Sequence, residues 1–300
     1  MKRSLLSLTI AFIFITLSGQ DKNVSDSAWN FNGVTSLNIS QLSLSNWAAG
    51  GEDAFSANAI LNLSAHYLKD KTAWDNDLSL GFGLINQGST GLRKSDDKID
   101  FSSKFGHKAS NKWFYSGLLN FKTQFAEGFD NPASEDKVKI SNFMAPGYVS
   151  LSFGMDYKPN EAFALLLAPL TGKMTFVLDD ELSAAGSFGV DAGKRLRSEF
   201  GGSVKISWNK ELVKNIRLNT NIGLFSNYLK DPQYVDVNWD MLLTFKVNEF
   251  ISASFVSQLI YDHDIVFNLD TNNDGTIDYS GPKIQLKELF GIGLAYTFNK

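Results

Sequence analysis

The sequence contains no cysteine. That removes a disulfide framework, thiolate chemistry, cysteine metal sites and a lipid-anchored cysteine behind an export signal. Proline is scarce, at six residues, and histidine scarcer still, at three. Beyond the amino terminus no apolar run approaches the ~20 residues that a membrane-spanning helix requires; the longest is Ala162 to Leu170. Neither charge sign forms a block: 28 Lys and Arg stand against 32 Asp and Glu, a net charge of -4. A dispersed, slightly acidic surface gives no basic face for nucleic acid, so no nucleic-acid partner is expected.

What is present is a charged start at Lys2 and Arg3, an apolar core from Leu5 to Leu17 and a small-residue exit at Ser18, Gly19 and Gln20. This order predicts a secretory signal over residues 1–20, with the exported chain beginning near Gln20 or Asp21. Aromatic residues are abundant, at 24 Phe, 9 Tyr and 6 Trp. Most of them fall on one parity of an alternating pattern, and a period of two places successive side chains on opposite faces of a strand.

The clearest case is the end of the chain. Ile284, Leu286, Phe290, Ile292, Leu294, Tyr296 and Phe298 share one parity, broken only by Glu288, while the other parity is polar or small. Similar segments run from Trp29 to Ile39, Phe55 to Tyr67, Trp74 to Leu84, Ile99 to Phe105, Trp113 to Phe125 and Val149 to Tyr157. They continue over Leu196 to Trp208, Ile216 to Leu224, Val235 to Val247 and Ile251 to Tyr261, while Phe163 to Leu170 is apolar on both faces, with Pro169 near its end or at a bulge. About twelve strands result, and an even count suits a single-chain bacterial barrel.

Connections after odd strands read as longer than those after even ones, with Asn86 to Asp97 and Thr171 to Lys194 among the long ones. Short periplasmic turns and long external loops produce that order when both termini are periplasmic. Tyr67, Trp74, Trp113, Trp208 and Tyr296 all fall beside the short-turn ends, where amphipathic rings prefer to sit. The expectation is an all-β outer-membrane barrel, an antiparallel up-and-down meander over residues 21–300, with the first strand starting at about 29–34. Outer-membrane lipid would be its surroundings, and the closing strand its contact with the assembly machinery. A soluble all-β protein is the competing reading.

Several stretches carry a family resemblance: Asn46-Trp-Ala-Ala-Gly-Gly51, Ala168-Pro-Leu-Thr-Gly-Lys173, Leu224-Phe-Ser-Asn-Tyr228, Asp236-Val-Asn-Trp239 and Leu259-Ile-Tyr-Asp262. Together, over about residues 30–298, they resemble a family of Bacteroidota outer-membrane proteins known as domain of unknown function 3078. The resemblance implies a location and an architecture, and brings no activity, substrate or catalytic residue.

If the apolar parity faces lipid, the inward face receives Asp75, Asp77, Asp100, Asp156, Glu199, Asp236, Asp240 and Asp262. It also receives Lys98, Lys104, Lys112, Lys122, Arg197, Lys205, Arg217, Lys246, Lys283 and Lys287. A strongly ion-selective pore would favour one sign. Mixed signs suggest cross-strand pairs, such as Asp75 or Asp77 with Lys104. A narrow channel or passive transporter is expected, with a closed structural or surface-interaction barrel with a charge-filled lumen as the alternative and an outer-membrane hydrolase behind both. No Gly-x-Ser-x-Gly elbow occurs, and His66, His107 and His263 offer no evident base for a nucleophile, so no catalytic residue and no required cofactor are expected.

One loop carries a metal-like pattern. Asp270, Asn272, Asp274, Thr276 and Asp278, with Gly275 at the sixth position, match the first nine positions of a calcium loop. Position twelve is Gly281 instead of a bidentate Glu, so any calcium site there is expected to be weak, on the order of 10⁻⁴ to 10⁻³ M. A polar hairpin tip in which Asn-Asp-Gly simply favours turning is the plainer alternative.

Overall fold

The computed structural model describes residues 28–44, 52–88, 91–130, 132–134, 136–248, 250–269, 272 and 276–299. The signal-like stretch 1–20 and the motif at 46–51 lie outside them. Twelve antiparallel strands close into a barrel. They are β1 (Trp29–Leu42), β2 (Ala54–Lys69), β3 (Thr72–Gln87), β4 (Leu92–Lys108), β5 (Trp113–Thr123) and β6 (Gly147–Asn160). The second half comprises β7 (Phe163–Phe176), β8 (Leu196–Val213), β9 (Ile216–Asn227), β10 (Val235–Lys246), β11 (Ile251–Tyr261) and β12 (Gln285–Asn299).

Each strand pairs with its sequence neighbours, and β12 returns to β1 with Leu37 opposite Leu294 and Asn38 opposite Gly293. Closure leaves no edge, which hydrocarbon demands because an unpaired backbone group there has no water to bond. No helix among the described residues is long and apolar enough to cross a membrane. The apolar parity of the strands faces outward: Phe290, Ile292 and Leu294 on β12 and Leu151 and Phe153 on β6 are all exposed. That belt makes the chain a transmembrane barrel of the outer-membrane type. At the short-turn end Trp29 lies 5.2 Å from Tyr67 and 5.8 Å from Trp74, and Trp113 lies 4.9 Å from Tyr157.

The strands are 11 to 18 residues long, whereas ~9–11 tilted residues suffice to cross a bilayer. The surplus corrects several boundaries. The connection expected over Asn86 to Asp97 shrinks to residues 88–91, because polar residues on both faces continue the β3–β4 ladder past the apolar belt. β6 runs on through Lys158 and Pro159 to Asn160. β7 passes through Pro169 to Phe176 instead of ending at Leu170, and its registers with β6 and β8 both slip around Ala168 to Thr171. A bulge accommodates a residue that cannot donate to the ladder, and an extra residue reverses which parity faces inward.

The long connections carry structure of their own. Gly128–Phe129 pairs with Lys139–Ser141, and Val266–Leu269 pairs with Tyr279–Pro282. Between β7 and β8, α1 (Asp180–Ala184) begins at Asp179, whose carboxylate accepts from the Glu181 and Leu182 amides. This side-chain cap meets orphan N–H groups of the first turn.

Candidate functional site

The inward face holds ion pairs at three levels along the barrel. Toward the short turns, Lys104 Nζ lies 2.7 Å from Asp156 Oδ2 and 3.6 Å from Asp75 Oδ2. Lys158, on β6, also donates to Asp75. Asp156 is 1% exposed, so these two lysines compensate a carboxylate with almost no access to water. Nearby, Ser64 Oγ donates to Asp77 Oδ1 at 2.7 Å, and His66 Nε2 contacts the same oxygen at 3.2 Å. The serine hydroxyl therefore binds the carboxylate and not the imidazole, which is not the geometry of a base activating a nucleophile.

At mid-height the lumen is bridged from wall to wall. Lys98 Nζ of β4 donates to Asp240 Oδ1 of β10 at 3.1 Å. These strands stand six apart in either direction round the twelve-stranded ring, so they are opposite walls. Lys122 lies 3.4 Å from Asp100 and 4.0 Å from Asp240. Gln258 donates to Asp240 at 3.0 Å and Asn120 to Asp100 at 2.8 Å. Low dielectric and satisfied polar neighbours make such a crossing more than a surface pair.

Toward the long loops, Lys173 Nζ lies 2.8 Å from Asp236, 3.5 Å from Glu199 and 3.7 Å from Asp262. Arg197 reaches Glu199 at 3.0 Å and Asp264 at 3.2 Å, and donates to the Gly189 carbonyl at 3.3 Å. On another side of the lumen Lys287 Nζ donates to Asp96 Oδ1 at 2.6 Å, and Asn58 Nδ2 donates to Asp96 Oδ2 at 3.2 Å.

Lys205, on β8, projects inward with no carboxylate within 4 Å among the described residues. Arg217 and Lys246 keep the inward parity but sit exposed at the short-turn rim. Two placements need correction. Lys112 lies exposed in the turn between β4 and β5, and Lys283 lies in the loop before β12, 4.6 Å from the Tyr279 ring centroid. Both residues lie one or two positions before the first residue of the strand, where the ladder and its alternation have not begun.

Sequence reasoning missed Lys158, Lys173, Asp96 and Asp264. The Pro169 bulge hid Lys173 by reversing the parity of β7. Asp96 and Lys158 lie in strand ends read as loop. The calcium-like loop falls partly outside the described residues, at Asp270 and Asp274, while Asn272, Thr276 and Asp278 are exposed.

The other side of the bore differs in chemistry. A narrow space is lined by Ser36, Asn38, Asn62, Thr244, Ser252 and Ser254, over an apolar floor of Val34, Ile60 and Leu242. These residues come from β1, β2, β10 and β11, and β10 also carries Asp236 and Asp240 of the ion pairs. Elsewhere on the inward face Leu118 of β5 and Leu166 and Ala168 of β7 form a buried apolar cluster.

The loops above the barrel lock together. Ala145, Val177, Leu182 and Val190 form a small buried core with Phe188 packed against it. Asp179 accepts from Asn142 Nδ2 at 2.9 Å and from Lys139 Nζ at 2.9 Å. Those hydrogen bonds, Asn142's first, hold its carboxyl down at about 2. Lys230 donates to Asp264 at 3.0 Å, which raises the Lys230 ammonium above its ordinary value. On the outer wall Lys94 and Asp97 pair at 2.6 Å, and Asp97 accepts from the Phe125 amide at 2.6 Å, fixing the start of the β5–β6 connection.

Among solved structures the chain is similar to the translocator domain of autotransporter NalP from Neisseria meningitidis, with 8% identity, TM-score 0.40, and coverage of 92% of this chain and 90% of that one. It is similar to the NanC porin at 8% identity and TM-score 0.36, covering 88% and 98% of the two chains. It is also similar to the CymD monoaromatic hydrocarbon channel at 10% identity and TM-score 0.33, covering 92% and 90%. No curated protein matches. A family model described as protein of unknown function, DUF3078, matches residues 39–129, the family that the motifs resemble.

Proposed function

We propose that this barrel is a narrow passive channel for small polar solutes, with both termini and the short turns periplasmic and the long connections facing outward. The supporting observation is a small space of about 20 Å³ on the inward wall, lined by Ser36, Asn62, Thr244 and Ser254 together with Val34, Ile60 and Leu242, beside ion-paired lumen charges. Its role is transfer, not catalysis, and the β12–β1 seam is where the assembly machinery would act on the closing strand.

A closed structural barrel is the second reading. It is favoured by the Lys98–Asp240 contact, which joins opposite walls. Planar-bilayer recording separates the two. The channel reading expects small discrete conductance steps for the wild type and several-fold larger steps for Asp240→Asn, which releases the crossing. Silence from both proteins, each shown to be folded, supports the closed barrel instead.

A further inference from the structure

Two opposite charges in the lumen lack the partners that the others have. Lys98, Lys104, Lys122, Lys173 and Lys287 each have a carboxylate within 3.4 Å, whereas Lys205 has no such partner among the described residues. Asp77 is its complement. Asp77 Oδ1 accepts from the Ser64 hydroxyl at 2.7 Å and meets the His66 ring at 3.2 Å, and no lysine or arginine of the described residues reaches the carboxylate. Neither a hydroxyl nor a neutral imidazole is a counter-charge.

The two groups face each other across the bore. Asp77 is on β3 and Lys205 on β8, five strands apart one way round the ring and seven the other, so their walls are nearly opposite. Each lies within the electrostatic reach of the other without touching it. The wall around Lys205 gives it nothing to bond, since Gly223 and Leu166 stand across its two ladders. A Cβ at Gly223 would find only the Asn238 carbonyl, at 3.8 Å, so the wall beside the lysine is open. Nearby charges are committed elsewhere, Asp100 to Lys122 and Asn120, and Lys104 to Asp156 and Asp75.

Both groups are open to water. The Asp77 side chain is 50% exposed and that of His66 45%, although they stand on the inward parity, and Lys205 is half-buried. Water on an inward face requires an aqueous space between the walls. In that space an ion of one sign is drawn to one wall and repelled by the other. A zwitterion gains at both. Its carboxylate accepts from the Lys205 ammonium while its own ammonium donates to Asp77, and charge-assisted hydrogen bonds of this kind are roughly twice as strong as neutral ones. Ser64 and His66 both bind Oδ1, which leaves Oδ2 for the incoming ammonium.

We infer that Asp77 and Lys205 form a binding site for a small zwitterion of the amino-acid class, held by its two ends between opposite walls and preferred over ions of either sign. The inference rests on the channel reading only for how the solute is delivered.

Glycine and β-alanine are the probes, because they carry the same two charges at different separations. Full-length protein is folded in detergent micelles at about pH 8, where an ordinary imidazole is neutral, and saturation-transfer NMR reads which small molecules touch it. At least one of the two zwitterions is expected to give a signal that saturates with concentration, while acetate and methylammonium, each carrying one of the charges, give none. Asp77→Asn and Lys205→Met are expected to abolish that signal, with Lys205→Gln replacing the latter should it fail to fold, and heat-modifiable gel mobility checks folding. No signal from either zwitterion overturns the site, as does a signal that either folded variant retains or that acetate or methylammonium matches. Proteoliposome uptake of the same zwitterions is measured in parallel. Saturable binding without uptake leaves the site standing and removes the channel; uptake without saturable binding removes the site and leaves the channel.

Discussion

Replacing Leu80 by arginine probes the outward belt directly. Leu80 sits near the middle of β3 and registers with Leu61 of β2 and Ile99 of β4, both on the outward parity. Leu80→Arg places a guanidinium among acyl chains at mid-depth, which costs about 2–4 kcal/mol in barrels of this kind. At about 1.4 kcal/mol per factor of ten, the folded-to-unfolded ratio falls roughly 30- to 1,000-fold. Ser79 is one residue away and faces the lumen opposite Asn62 and Asp100. There the same arginine gains a carboxylate neighbour, and a change within about 1 kcal/mol is expected. Refolding into lipid vesicles across a urea series, read by heat-modifiable gel mobility, measures both. Equal losses at the two positions, or a larger loss for Ser79→Arg, refute the register.

Other perturbations address separate parts of the molecule. Lys104→Met leaves Asp156 with only Lys158 at 4.0 Å and is expected to destabilise by about 3–5 kcal/mol; Lys104→Met with Asp156→Asn should recover much of that in the same urea assay, and a simple sum of the two losses counts against the buried cluster. The Asp179 carboxyl, held at about 2 in the fold against 3.8 for a free side chain, stabilises the loop cap above pH 4, a contribution lost as pH falls toward 2. Carbon NMR titration of that carboxyl should give a midpoint near 2, and a midpoint near 4 removes the proposed anchor. For orientation, epitope tags at Asp231 or Ser134 should be labelled on intact cells and tags at Ser110 or Asn248 should not; the reverse pattern inverts the barrel.

The twelve strands were legible because lipid imposes apolar residues on every second position of each crossing, and no loop imitates that over eight or more residues. Legibility stops where lipid stops. Above the belt both faces of β3 and β4 meet water, so Ile85 to Gln87 and Leu92 to Asp97 lose the alternation while keeping the ladder. Pro169 allowed either a strand end or a bulge, and it is the bulge that lets β7 continue.

The charges were legible as a set, and as partners only between neighbours in one ladder, such as Asp75 with Lys104. Lys98 and Asp240 are far apart in sequence and meet only because the closed ring sets their strands opposite each other at one height. Height depends on accumulated stagger between strands, which no local pattern records. The helix after β7 had a local signal that went unused, Asp179-Asp-Glu-Leu182, an N-cap followed by acidic residues in the first turn.

Lys98 and Asp240 join opposite walls of the barrel at mid-lumen. The chain has no native cysteine, so Lys98→Cys with Asp240→Cys introduces two thiols free of background. Treatment of the vesicle-folded protein with a short bifunctional thiol reagent, followed by protease cleavage in an exposed loop and gel analysis, reads whether the two halves remain linked. Efficient linkage of this pair, with none for Lys98→Cys paired with outward-facing Leu243→Cys, is the predicted result. Linkage that is absent for the first pair, or equal for both, contradicts a lumen bridged between β4 and β10.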